Sequence, residues 1–306
     1  MVITMLARHW LARRHYPLPS WLACIARSMR VLMFQRAHRQ LLALDIHRRY
    51  VALAHDDVYH HLSHRHYLAQ GMPLRQRVRC VLSHYSFEES TFDAHYKQAV
   101  YRDGGLTLWQ HDDAAGWHFA IRLQMASRLC AEGDLTIAMS ANRDAGTGDI
   151  YLHRLSFSWV DGALAGVGSA VVPFIARNQG HRNEAADAFA AFEQAFPHNS
   201  PSFFCFAAMQ GIAQALGIDE AVAVKSAWQN AYDAADARHF ANAYDSFWET
   251  LGGVPMEGPL WRIALPFYLK PLSEVSARHR KRAMLRREHW QAIGDAARLT
   301  ASRHRQ

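Results

Sequence analysis

Cysteine is scarce: Cys24, Cys80, Cys130 and Cys205 are the only four in 306 residues, far apart and without a CxxC pair. That excludes a dense disulfide framework and fits a reducing compartment in which thiols are ordinary small core residues. Long apolar runs are missing as well. The most apolar stretch, ALAGVGSAVVPFIA, lies between Asp161 and Arg177, short of the roughly 20 residues that a membrane-crossing helix needs. The opening MVITMLARHWLARRHYPLPSW carries arginines where a secretory signal needs an uninterrupted apolar segment, so export by that route is not expected. There is no GxxxxGK[ST] phosphate loop and no GxSxG elbow, and GVGSA lacks the third glycine and the strand-to-helix setting of a dinucleotide fingerprint. Nucleotide hydrolysis and serine hydrolysis therefore drop out. The chain is expected to be cytoplasmic.

Half of the residues are hydrophobic, enough to bury one substantial core or two modest ones sharing an interface. The net charge of +7 is unevenly spread: Arg8, Arg13, Arg14, Arg27, Arg30, Arg36 and Arg39 all precede the first acid, Asp45, and Arg278–Arg287 is a second basic run. Such ends are drawn to anionic surfaces, and long-range attraction does not choose among phospholipid headgroups, nucleic acid and acidic cofactors. A basic amphipathic helix over Met1–Arg14, lying on the inner face of an anionic membrane, is one reading; a plain solvated face is the other. Neither a helix-turn-helix nor a zinc finger accompanies the basic ends, so no specific nucleic-acid binding is expected. RHRKRAMLRREHW reads as solvated arginines on a terminal helix.

Periodicity divides the chain near residue 100. From Pro19 to about Val100, apolar residues recur at three- and four-residue intervals, predicting a helical N-terminal region over 1–100. From Leu106 the period changes. WHFAIRLQM, DLTIAMSA, DIYLHRLSFSWV and LAGVGSAVVPFI are rich in branched and aromatic residues and are separated by turn signals, which predicts successive antiparallel strands. EAADAFAAFEQAF returns to helical spacing, and HNSPS offers Ser200 as the cap of a helix with Pro201 in its first turn. That helix should end at Gly217 and pass into a strand, AVAVK. ADARHFANAYDSFWETLGG then reads as one further helix and PLWRIALPF as a late strand. The expected class is α+β, with residues 101–306 forming a mixed, mostly antiparallel sheet flanked by helices and closed by a basic C-terminal helix.

LSHYSFEE, CAEGDLTIAM, IYLHRLSFSW, AQALGI, YDSFWETLGG and RAMLRREHWQAIGDAA resemble, in the same order, motifs of the VirK/YbjX family, a bacterial family of unknown function. The resemblance implies cell-envelope biology, including tolerance of antimicrobial peptides and virulence in enteric bacteria, without an established reaction.

A more distant resemblance is to the GNAT acyltransferase fold, carried by ALGIDEAVAVK followed by NAYDSFWETLGG. It implies a bulged strand whose N–H meets a thioester carbonyl and a helix start that receives the pyrophosphate of acyl-CoA or of another acyl or aminoacyl carrier. The acceptor would be an envelope-related amine or hydroxyl. Free N–H groups at a helix start stabilise phosphates, and an aimed donor stabilises an oxyanion. Two cradles are open: the loop RNQGHR with Arg177, Gly180 and Arg182, and the helix start with Ser200 and Ser202. Deprotonating the acceptor requires a carboxylate or imidazole in reach, for which His84, Glu132 and Asp245 are candidates. The position aligned with that fold's general acid is Trp248, whose indole cannot serve, so Tyr244 one turn earlier is the substitute. Glu132 and Asp134 in EGDL also suit an ordinary turn. In HDDVYHHLSHRHY, Asp56, His60 and His64 share one face of a helix, but the cluster lacks the glutamate of HExxH, and no metal is assigned to it. A protein that binds a partner at the membrane without catalysis is the alternative function.

Overall fold

A computed structural model describes residues 17–51, 60–126, 132–143, 148–180 and 185–306. The expected segment Met1–Arg14, together with Asp56, Cys130 and Arg182, lies outside them.

The N-terminal part is helical as expected: α1 (Leu18–Ser28), α2 (Gln35–Ala43), α3 (Leu74–Thr91) and α4 (Ala94–Tyr101). Asp93 caps α4 by accepting the Tyr96 N–H at 2.7 Å, which satisfies a donor that the first helical turn leaves without a partner. Just before α3, past the short helical turn His60–Ser63, the described chain is irregular and its carbonyls need donors. Arg77 of α3 provides them. Its buried guanidinium donates to the carbonyls of Met72 and Arg65, each at 2.8 Å, and of His64 at 3.2 Å. This holds the segment around His60–Tyr67 against α3.

Eight strands follow in one sheet: β1 (Leu106–Asp112), β2 (His118–Met125), β3 (Leu135–Asn142), β4 (Ile150–Asp161), β5 (Val171–Gly180), β6 (Glu220–Val224), β7 (Val254–Pro255) and β8 (Leu260–Ala264). Their order is β1-β2-β3-β4-β5-β6-β8-β7. Every pairing is antiparallel except β5 with β6, because only a helical crossover joins those two strands. The α+β class read from the sequence is what the chain adopts.

Two expected elements differ. LAGVGSAVVPFI does not form one strand: Gly162–Ala165 is a helical turn, and β5 starts at Val171 and runs on to Gly180. The expected loop RNQGHR is therefore strand from Arg177 to Gly180, paired with His153–Ser156 of β4. ADARHFANAYDSFWETLGG is likewise two helices, α7 (Ala237–Ala243) and α8 (Asp245–Thr250), broken at Tyr244. The break has a tertiary cause. The Asn178 side-chain amide donates to the Ala243 carbonyl at 2.8 Å, and a helical ladder kinks where a foreign group takes one of its carbonyls.

Three longer helices complete the framework: α5 (Ala186–Ala195), α6 (Pro201–Ala215) and α9 (Ala277–Arg303). Helix α6 begins at Pro201 and closes at Gly217 (φ +74°), with the Ile218 N–H on the Ala213 carbonyl at 2.9 Å. It is apolar all round because it is covered on both sides, by the sheet and by α9. One cluster of buried apolar side chains runs from Leu41 and Tyr85 through the strands to Ile293, so the helical segment and the sheet share a core.

Helices α6 and α9 come together at two glycines. A Cβ on Gly211 would lie 2.2 Å from the Gly294 carbonyl oxygen, whereas one on Gly294 would stand 3.5 Å from the Ala207 oxygen, an ordinary contact. Gly211→Ala is expected to destabilise the fold by about 2–3 kcal/mol through overpacking. Gly294→Ala should be neutral or stabilising, since alanine favours a helix over glycine by up to about 1 kcal/mol. Urea midpoints of the two variants check this; equal midpoints would refute the close crossing.

Candidate functional site

The parallel pairing of β5 with β6 lasts two positions, Phe174–Val222 and Ile175–Ala223. Just beyond it β5 bulges. Ser156 pairs with Arg177 and Phe157 with Ile175, leaving Ala176 as the extra residue, and an extra residue bends its strand away from the regular path. The two strands then diverge, and side chains close the gap between them. The Trp248 indole N–H donates to the Val224 carbonyl at 3.0 Å, and the Tyr244 hydroxyl accepts the Asn178 N–H at 3.3 Å. Both rings are fully buried. Burial first, and the nearby Glu132 second, push the Tyr244 hydroxyl well above the ordinary tyrosine range, so it keeps its proton at neutral pH.

A cavity of about 160 Å³ lies beside this closure. Gln124, Thr136, Ser156 and Arg177 are register partners on four adjacent strands, β2 to β5, and paired residues project on the same side of a sheet. They form one polar row across the cavity, joined by Glu132, Arg154 and Ala126. The Thr136 and Ser156 hydroxyls are 2.8 Å apart. Arg177 approaches Glu132 at 3.4 Å, and the buried Gln229 amide donates to the same carboxylate. Arg154 is half-buried and stacks over the Tyr151 ring at 4.0 Å. It has no acidic partner among the described residues. The lining thus offers a carboxylate, two guanidiniums, two hydroxyls and a carboxamide.

Glu132 and Asp134 are aimed in different directions from one tight turn. Gly133 between them has φ +132°, and a Cβ there would stand 2.8 Å from the Phe157 nitrogen, so only glycine fits. Glu132 enters the cavity. Asp134 enters a buried network under the N-terminal helices, where it accepts the Tyr67 and Ser158 hydroxyls, each at 2.5 Å, and lies 3.6 Å from the His60 ring. Burial opposes its ionisation, but His84, His60 and the two hydroxyl donors outweigh burial and hold it below the usual carboxylate range.

His84 belongs to the same buried region. Its Nδ1 accepts the Trp159 backbone N–H at 3.2 Å and its Nε2 is 3.5 Å from the Tyr101 hydroxyl. Burial lowers it to about 4, which leaves it neutral. The Tyr101 hydroxyl donates to Glu88, as do Tyr96 and the Trp159 indole, at 3.0, 3.1 and 2.7 Å. Burial raises Glu88 to about 7 against these three donors.

The structure therefore brings Glu132, Arg177 and Tyr244 together from three separate segments. The other named residues lie elsewhere. Gly180 ends β5, with the Leu152 carbonyl oxygen 2.8 Å from where a Cβ would stand. Ser200 occupies the cap position of α6, but its hydroxyl bonds to Ser202 at 2.7 Å instead of to a helix N–H, and neither serine lines the cavity. Asp245 accepts the Ser226 N–H at 3.1 Å, the Ser226 hydroxyl and the Trp261 indole at 2.9 Å, tying α8 to the sheet. His64 bonds through Nδ1 to the His60 carbonyl at 3.0 Å, and among the described residues no group of three or more His, Cys, Asp or Glu side chains is placed to hold a metal ion. Sequence reasoning missed Gln124, Arg154 and Gln229. Alternation along β2 and β4 would have put the first two on one face, but nothing local marks Gln229.

These features define an α+β protein built on an open, mostly antiparallel sheet with a polar cavity set across four of its strands. Residues 24–293 match the family described as a protein of unknown function (DUF535), and the chain belongs to that family. No curated protein and no solved structure matches it. Among the described residues no helix is long and apolar enough to cross a membrane.

Proposed function

We propose that the chain is a VirK/YbjX-like protein of cell-envelope homeostasis and antimicrobial-peptide tolerance, and that it works from the cytoplasmic side of the inner membrane as a binding protein. The observation that carries the binding role is the pair Tyr244 and Trp248, which fills the divergence of β5 and β6 where a GNAT-like transferase would seat its thioester. The ligand is a small zwitterionic group, an aminoalkyl phosphate or an amino acid. Glu132 faces its ammonium, and Arg154 with the Thr136 and Ser156 hydroxyls takes its anionic end. A cavity of about 160 Å³ has room for nothing much larger.

Acyl or aminoacyl transfer is the second reading, favoured by the bulge at Ala176 and by the meeting of Glu132, Arg177 and Tyr244. Thermal shift separates the two. Phosphoethanolamine or alanine is expected to raise Tm by about 2 °C or more, and Arg154→Ala should abolish the rise. Acyl-CoA and aminoacyl-tRNA are expected to leave Tm unchanged. Stabilisation by either carrier would overturn the binding role in favour of transfer.

A further inference from the structure

A second cleft, about 340 Å³ in volume, lies between the N-terminal half of α9, the 267–275 segment and Phe203 at the start of α6. Its floor is aromatic. Phe203 and Trp290 stack at 4.7 Å with their planes 10° apart, and Phe267 stands 5.7 Å from Trp290. Its rim is cationic, carrying Lys270, His279, Arg282, Arg286 and Arg287, and no acidic side chain lines it among the described residues.

Two donors in this wall meet no acceptor among the described residues. Trp290 is 8% exposed and its indole N–H is buried without an acceptor; the Nε of Arg286 is in the same condition. The Arg286 guanidinium lies over the Trp290 ring at 4.8 Å, a cation–π contact, and has no acidic partner among the described residues. A buried donor left unmet costs about 1–3 kcal/mol, so this wall suits an acceptor that the described residues do not supply. Arg287, by contrast, is tied to the Lys270 carbonyl and shapes the rim.

We propose that this cleft binds an organic anion with an apolar body, a phosphate or carboxylate joined to an alkyl chain. The anionic oxygens accept from Arg286, the Trp290 indole and Arg282, while the apolar body lies against Phe203 and Phe267. The volume falls at the small end of the roughly 300–1,000 Å³ range of small-molecule sites. The basic run of α9 is then a binding wall, which the charge pattern alone does not distinguish from a solvated face. This assignment does not depend on the sheet cavity, since the two share no residue.

Calorimetric titration tests it, with octyl phosphate below its micelle concentration as the probe and octyl glucoside and inorganic phosphate as the partial ligands. The full-length protein is expected to bind octyl phosphate saturably and the partial ligands far more weakly. Arg286→Ala should weaken binding by about tenfold or more, and Trp290→Phe, which keeps an aromatic ring but removes the N–H, by about three- to tenfold. Arg282→Gln changes an exposed side chain and guards against a folding artefact; it too should weaken binding, at unchanged Tm. Unaltered affinity in Arg286→Ala and Arg282→Gln together, or no binding of octyl phosphate by the folded protein, overturns the proposal. Vesicles of phosphatidylglycerol in phosphatidylcholine identify the source of the anion: binding lost in the same variants assigns a bilayer lipid, and monomer binding without vesicle binding assigns a free amphiphile. Arg154→Ala should leave all of this unchanged, so failure here and failure of the sheet cavity are read separately.

Discussion

Asp134→Ala is expected to lower the free energy of unfolding by about 3–5 kcal/mol, the cost of removing one member of a buried charged network. The carboxylate is the common acceptor for Tyr67 and Ser158 and the neighbour of His60, and all four side chains are buried. Taking it away leaves the buried Tyr67 and Ser158 hydroxyls without this acceptor. The comparison is Asp45→Ala. Asp45 pairs at 3.7 and 3.4 Å with Arg48 and Arg49, both mostly exposed, and such pairs contribute about 0–1 kcal/mol. Urea unfolding reads the difference as a shifted midpoint at unchanged slope. If the two variants unfold alike, the network does not hold the N-terminal helices to the sheet. The effect should also reach the cavity, because Gly133 couples Asp134 to Glu132: Asp134→Ala is expected to weaken zwitterion binding although it touches no ligand.

Mild acid is expected to destabilise the protein, through buried histidines. Burial is the leading cause that depresses His47 to about 3, His84 to about 4 and His61 well below its ordinary value. Below pH 6.5 the unfolded chain protonates these rings and the folded chain does not, so their stabilisation is present above that pH and is lost as pH falls. Glu88 acts in the opposite sense. Its folded value of about 7 exceeds the ordinary 4.5, so the folded state holds the proton between those limits and gains stability as pH falls. Three sites against one leave a net uptake of protons on unfolding, so stability falls as the pH drops from about 6 toward 4.5. Thermal or urea unfolding across pH 4.5–7.5 should show this slope. His47→Phe, which removes a buried ring that lies 4.3 Å from Tyr85 and has no hydrogen-bond partner at either nitrogen among the described residues, should make the slope shallower. A flat profile down to pH 5 would mean that the histidines are hydrated in the folded state.

How much was legible in advance follows the range of each interaction. Strands β2, β3, β4 and β6 and helices α5 and α6 were readable because branched alternation, a proline in the first turn and a closing glycine are local signals. The break at Tyr244 was not, because its cause is Asn178, far away in sequence on β5. The strand character of Arg177–Gly180 was hidden for the same reason: a glycine and an arginine suggest a loop until β4 is present to pair with them. Glu132, Arg177 and Tyr244 could each be singled out as a chemical type, but their meeting could not.

By itself, then, the sequence determined the α+β class, the helical start, the succession of strands and the basic helix at the end, since these depend on the polarity and shape of near neighbours. Only the tertiary structure decided that Tyr244 and Trp248 close the parting strands, that Asp134 and Glu132 serve different surroundings across one glycine, and that three arginines and a tryptophan of α9 face a cleft. Each of those depends on contacts between residues distant in the chain, where burial, and not residue type, sets what a side chain can do.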